Sequence, residues 1–266
     1  DTCLGHPQRC GRTVDTPGVA GLHGWLARGS AEYRLLFADR ARRHLFEDGA
    51  LTAGPAAARY AAAAAEIERA IVGESARWGD GPWQERTKSE NWRFIRFAIA
   101  DNVQLGRPQN RDDHWRPERD RLLRELYPGR TADVIAQLCQ AGLYPAVASP
   151  RFSPPPAAAK PNQSIAVGLL DAGCAAQATV GTIWVTTDGT DPRPPFGANP
   201  SPSALPYDRP IRLEGRYTRL RARLRTADGR WSALAEAIYS RPRVIVAELN
   251  YHPVAGDAEE FIELAA

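Results

Sequence analysis

The sequence contains no methionine, and lysine occurs only at Lys88 and Lys160, so its basic character is almost wholly arginine. Net charge is only +3 at pH 7, with neither half strongly basic. That balance excludes the footprint of a nucleic-acid binder. No run of about 18 apolar residues occurs, so no membrane span is expected. The chain has no Gly-x-x-x-x-Gly-Lys phosphate loop, no His-Glu-x-x-His and no Gly-x-Ser-x-Gly elbow. His44 and His114 stand apart from Cys and Ser partners, so no catalytic residue is expected here. A charged leader followed by an apolar stretch is also missing, and with Asp1 as the first residue the chain reads as a piece of something longer.

Cysteine is scarce, at four residues. Cys3 and Cys10 are read as a disulfide, as two thiols, or, with His6 and His23, as zinc ligands whose spacing fits no standard pattern. Cys139 lies on a helical apolar stripe and Cys174 between weak strands, and both are expected as buried thiols.

With 266 residues and 43% hydrophobic content, two soluble domains are the natural expectation. Residues 1–28 read as a loop-rich lead-in. Residues 29–144 read as helical. Tyr33, Leu36, Phe37, Ala41, His44 and Leu45 recur three and four apart, with Arg34, Arg40, Arg42 and Arg43 expected on a solvated face. Thr52 and Pro55 start a second helix, whose Ala-rich stripe of Tyr60, Ala64, Ile67 and Ile71 is expected to reach Trp78. A short helix is expected over Glu90 to Val103. Pro117 starts another carrying Leu122, Leu123 and Leu126, and Thr131 is expected to cap one carrying Val134, Ile135 and Leu138, with Pro128-Gly129 between the two.

The prolines of residues 145–162 predict an extended linker. Residues 163–240 then read as strands. Ile183 to Thr187 are β-branched or aromatic, and Asp188-Gly189 and Asp191-Pro192 supply a turn with Asx-type bonding. On Tyr217 to Arg225, Leu220, Ala222 and Leu224 alternate with Arg219, Arg221, Arg223 and Arg225, as in a strand with one face in a core. Asp228-Gly229 predicts a hairpin into Trp231. The arginine row is the candidate binding site, able to take a polyanion or acidic glycan. A plain solvated sheet face is the favoured alternative. Asp188 and Asp191 offer too few oxygens for calcium. Residues 243–266 begin a further strand-rich stretch, with Val244 to Leu249 expected to lack a pairing partner and with His252, Asp257, Glu259 and Glu260 only a weak metal set.

Three resemblances attach to these residues. The blocks "GTIWVTTDGTDPR", "LPYDRPIRL" and "YTRLRARLRTADGRWSALAEAIYS" resemble the immunoglobulin-like module at the C-terminus of chitobiases and β-hexosaminidases, a non-catalytic accessory. "EYRLLFADRARRHLFEDGALT", "AEIERAIVGESARWGD" and "DDHWRPERDRLLRELYPGRTADVIAQLCQAGLYP" resemble the C-terminal helical part of CotH-type kinase proteins. "VIVAELNYHPVAGDAEEFIELAA" is similar to the opening of a lamin-tail domain. Together they imply an α+β multidomain chain, a helical region followed by an immunoglobulin-like antiparallel β-sandwich, from a secreted or cell-envelope bacterial protein. The implied role is structural or interactive, with a protein or cell-surface glycan as partner. The alternatives are a glycan-binding or adhesion module, and part of a kinase whose ATP- and divalent-metal-binding residues lie upstream. No cofactor is expected in this chain.

Overall fold

The computed structural model describes residues 19–78, 109–156, 163–170, 174, 177–213, 217–240, 245–251 and 260–265. Helices and antiparallel sheets make it an α+β protein. The chain divides into two compact units, Asp1–Ala146 with Ala172–Gln177, and Val147–Asp171 with Ala178–Ala266. Cys3, His6, Cys10, the helix expected over Glu90 to Val103, and His252, Asp257 and Glu259 lie outside the described residues.

The first unit is helical. α1 spans Val19–Gly29, so the loop expected up to residue 28 is helix in its last third. His23 on α1 bonds through Nδ1 to the Tyr33 hydroxyl at 2.6 Å and packs on the Phe37 ring. α2, Ala31–Leu45, is capped by Ser30, whose hydroxyl accepts from the Tyr33 N–H at 3.1 Å. Its buried stripe is Ala38, Ala41 and Leu45, but also Arg42. Arg42 therefore departs from the solvated face expected of it. Its charge is met by Glu47 at 3.0 Å and its guanidinium lies over the Phe46 ring.

α3, Ala53–Ile67, follows Thr52 as the start signal predicts, although the Thr52 hydroxyl donates to the Gly49 carbonyl rather than capping the helix. The expected continuous run to Trp78 is interrupted at Glu68 and Arg69 before α4, Ala70–Trp78. Glu68 faces Arg116 and Arg119, each ion-paired to it.

Arg111–Gln140 is helical throughout: a π turn over Arg111–Trp115, α5 over Arg116–Arg121, a second π turn over Leu122–Leu126, and α6 over Tyr127–Gln140. The break expected at Pro128-Gly129 does not occur. Pro128 is the second residue of α6, directly after the second π turn. Thr131 is accordingly inside the helix, and its hydroxyl donates to the Leu51 carbonyl at 2.9 Å. Tyr127 stacks on Tyr60 of α3 at 5.2 Å.

The second unit holds β1 (Ser149–Ser153), β2 (Ser164–Leu170), β3 (Thr182–Thr186), β4 (Leu205–Pro206), β5 (Ile211–Arg212), β6 (Tyr217–Arg225) and β7 (Ala235–Ser240). They form two small antiparallel sheets, ordered β1-β2-β5 and β4-β3-β6-β7. β1 lies in the stretch expected to be linker. It is an edge strand, pairing Ser149 with Leu170 and Ser153 with Ala166, so Pro150 removes no donor that a neighbour on its other side would need. Phe152 and Ile165 from the first sheet share one core with Val185, Leu220, Ala222 and Ala237 from the second. Burying each of the larger of these side chains contributes roughly 1.5–3 kcal/mol.

β8 (Ile245–Asn250) pairs with β9 (Phe261–Ala265) in a separate two-stranded sheet. This corrects the expectation that the strand lacks a partner. Its mate lies within the same chain, with Ile245 paired to Ala265 and Asn250 to Phe261.

Candidate functional site

β6 is a strand because its inward positions, Leu220, Ala222 and Leu224, fill the core and are wholly buried. Its outward positions are then committed to arginine, and the structure gives each of the four guanidiniums a partner in the same unit.

Arg219 and Arg221 share one carboxylate. Glu236 stands opposite Arg221 on β7, and its Oε2 accepts from Arg219 Nη2 at 2.9 Å and from Arg221 Nε at 2.6 Å. Burial raises the Glu236 pKa, but these two hydrogen bonds and the two positive charges outweigh it and hold the carboxyl below the usual range. The Arg219 guanidinium is correspondingly raised, first by its hydrogen bond to Glu236. The aliphatic stem of Arg219 also packs beside Gly189, whose φ of +80° and close approach both favour the absence of a side chain.

Arg223 is not on a solvated face at all. It is 1% exposed and is clasped by Asp191, with Nε to Oδ1 and Nη2 to Oδ2 both at 2.7 Å, while Nη1 donates to the Ser232 carbonyl at 2.8 Å. The two-pronged geometry is the one that offsets the desolvation of a buried guanidinium. Arg225 donates to the Ala198 carbonyl at 3.1 Å and lies over the Trp231 ring, and Trp231 Nε1 donates to the same carbonyl at 3.3 Å. Asp191 and Ala198 belong to one loop, residues 187–204, so the arginine row holds that loop down.

The loop's acidic residues are likewise absorbed. Asp188 Oδ1 accepts from the Thr190 N–H at 2.9 Å and from the Thr190 hydroxyl at 2.6 Å, which keeps its pKa low. Asp191 Oδ1 accepts from the Arg193 N–H at 2.9 Å. These are the Asx bonds that the turn sequence predicts. Among the described residues, no group of three or more His, Cys, Asp or Glu side chains could hold a metal ion. No helix among them is long and apolar enough to cross a membrane.

Three participants escaped the sequence reading. Glu236 gave one signal, as the lone acid on a strand of small and apolar residues. Asp191 read as a turn residue, with nothing in the local sequence pointing to an arginine 32 positions later. The third is a covalent bond. Cys139 on α6 and Cys174 form a disulfide, so the expectation of two buried thiols is corrected. Cysteine pairing depends on spatial approach, which a separation of 35 residues does not reveal. No protein-family model matches the chain, and neither a curated protein nor a solved structure matches it.

Proposed function

We propose that this chain is a non-catalytic structural and interaction region of a secreted bacterial multidomain protein. In this reading the helical unit derives from the C-terminal part of a CotH-type kinase protein, the second unit is an immunoglobulin-like sandwich, and the last residues open a lamin-tail domain. One observation carries the structural role. The four arginines that form the natural ligand surface are turned to intramolecular contacts, with Glu236, Asp191 and the Ala198 carbonyl as partners. The Cys139–Cys174 bond supports the compartment, since disulfides persist outside the reducing cytosol. The test of the non-catalytic role is calorimetric titration with ATP and magnesium. No heat of binding is expected, and tight magnesium-dependent binding would overturn the proposal.

A second reading, a glycan-binding module, is favoured by one feature. Tyr217 is 62% exposed and lies two residues before Arg219 on the same face of β6, an aromatic surface beside charge. A cell-surface glycan, or another protein, would be the partner.

A further inference from the structure

We propose that Phe196, on loop 187–204 of the sheet unit, is a docking knob for another protein, one that offers an apolar pocket with acidic residues at its rim. The knob rests on the interaction role proposed above and gives it a residue and a partner chemistry. The Phe196 ring is 81% exposed, yet its backbone takes a φ of +57°. Pro194–Gly197 forms a turn closed by the Gly197 N–H, which donates to the Pro194 carbonyl at 2.8 Å. Pro195 suits the second position of such a turn, but a positive φ at the third belongs to glycine or asparagine. A bulky aromatic there is strained, and so exposed a ring adds little to the core. Neither the turn nor the packing calls for phenylalanine at this place, which points to a contact outside the chain.

The loop holds the ring in place before any partner arrives. Asp191 clasps Arg223 with two bonds of 2.7 Å, and the Ala198 carbonyl accepts from Arg225 and from Trp231. The Ser201 N–H donates to the Pro192 carbonyl at 2.8 Å, and Pro192 is itself buried. A ring presented on a braced loop loses little freedom on binding, so more of its burial appears as affinity. Residues 194–198 carry only prolyl, phenyl and methyl side chains. They offer no side-chain hydrogen bonds to the hydroxyls of a sugar, and suit an apolar protein pocket instead. From Pro192 to Pro206 the charged side chain is Arg193 alone, with no acid, so an acidic rim is the complement. One ring and one arginine fall short of the two signals that hold a protein on a membrane.

The full chain is first compared with its Phe196→Gly and Phe196→Asn variants by thermal unfolding. Each variant is expected to melt at or above the temperature of the intact chain, because the strain goes and little burial is lost. A lower melting temperature in both would make the ring a fold residue and overturn the proposal. A phage-displayed library of random cyclic peptides is then selected on the immobilised full chain. The enriched peptides are expected to combine apolar residues with Asp or Glu. Their binding should weaken at least about tenfold in Phe196→Gly and Phe196→Asn and stay unchanged in Tyr217→Ala. Enriched peptides without acidic residues, or with binding indifferent to Phe196, overturn the knob and leave the interaction role standing. A library that yields no binder overturns both. Retention on a saccharide array or on phosphatidylglycerol vesicles that is lost in Phe196→Gly would give the ring to a glycan or a lipid, and overturns the protein partner.

Discussion

Among the described residues of the sheet unit, Arg223 is the buried charged side chain, and its carboxylate partner comes from a distant loop. Asp191→Ala leaves that guanidinium without its counter-ion. Removing one partner of a buried pair costs about 3–5 kcal/mol, and the partial exposure of Asp191 puts the expected loss near 3. Urea unfolding of the variant measures it. Glu236 makes a separate prediction through pH. Its folded-state pKa is depressed, so its stabilising contribution is present above the unfolded carboxylate pKa and is lost as pH falls through the folded value. The chain should lose stability as acid is added below the ordinary carboxylate range, and Glu236→Gln should flatten that part of the profile. Unfolding midpoints taken from neutral to acid pH check this. At this scale the sequence was legible only in part. Alternation identified Leu220, Ala222 and Leu224 as core and the arginines as outward, but an outward residue is solvated only if nothing crosses over it, and loop 187–204 does.

At the scale of elements, local signals worked where local chemistry decides. α3 begins after Thr52, Asp188-Gly189 turns after β3, and Gly229 with φ +85° turns the chain between Arg225 and Trp231. They failed where tertiary context decides. Proline reads as a breaker, yet Pro150 fits an edge strand, and the helical run continues through Pro128 directly after a π turn. Among the described residues, the β8–β9 ribbon pairs only with itself and contributes no residue to the sheet unit's core. Val246, Leu249 and Ile262 lie exposed on it. Deleting residues 243–266 should therefore leave the melting temperature of the sheet unit nearly unchanged and reduce aggregation, since an exposed apolar ribbon is an aggregation hazard. Calorimetry and light scattering read the two effects. A deletion that unfolds the sheet unit would make the ribbon an integral part of it.

For the whole molecule, a helical part followed by a strand-rich part was readable from the change of period, and the division at Ala146 and Val147 falls inside the stretch 145–162 whose prolines suggested it, although β1 occupies part of that stretch. The Cys139–Cys174 bond was invisible because nothing local brings the two sulfurs together. On the proposed reading, the charged row on β6 serves the fold and not a ligand. This is tested most directly by a glycan array probed with the intact chain and with the Arg219→Gln/Arg221→Gln variant. Neither protein is expected to be retained by any neutral or acidic saccharide. Retention of the intact chain by a defined saccharide, abolished in a variant that remains folded, would contradict it and make the row a binding site.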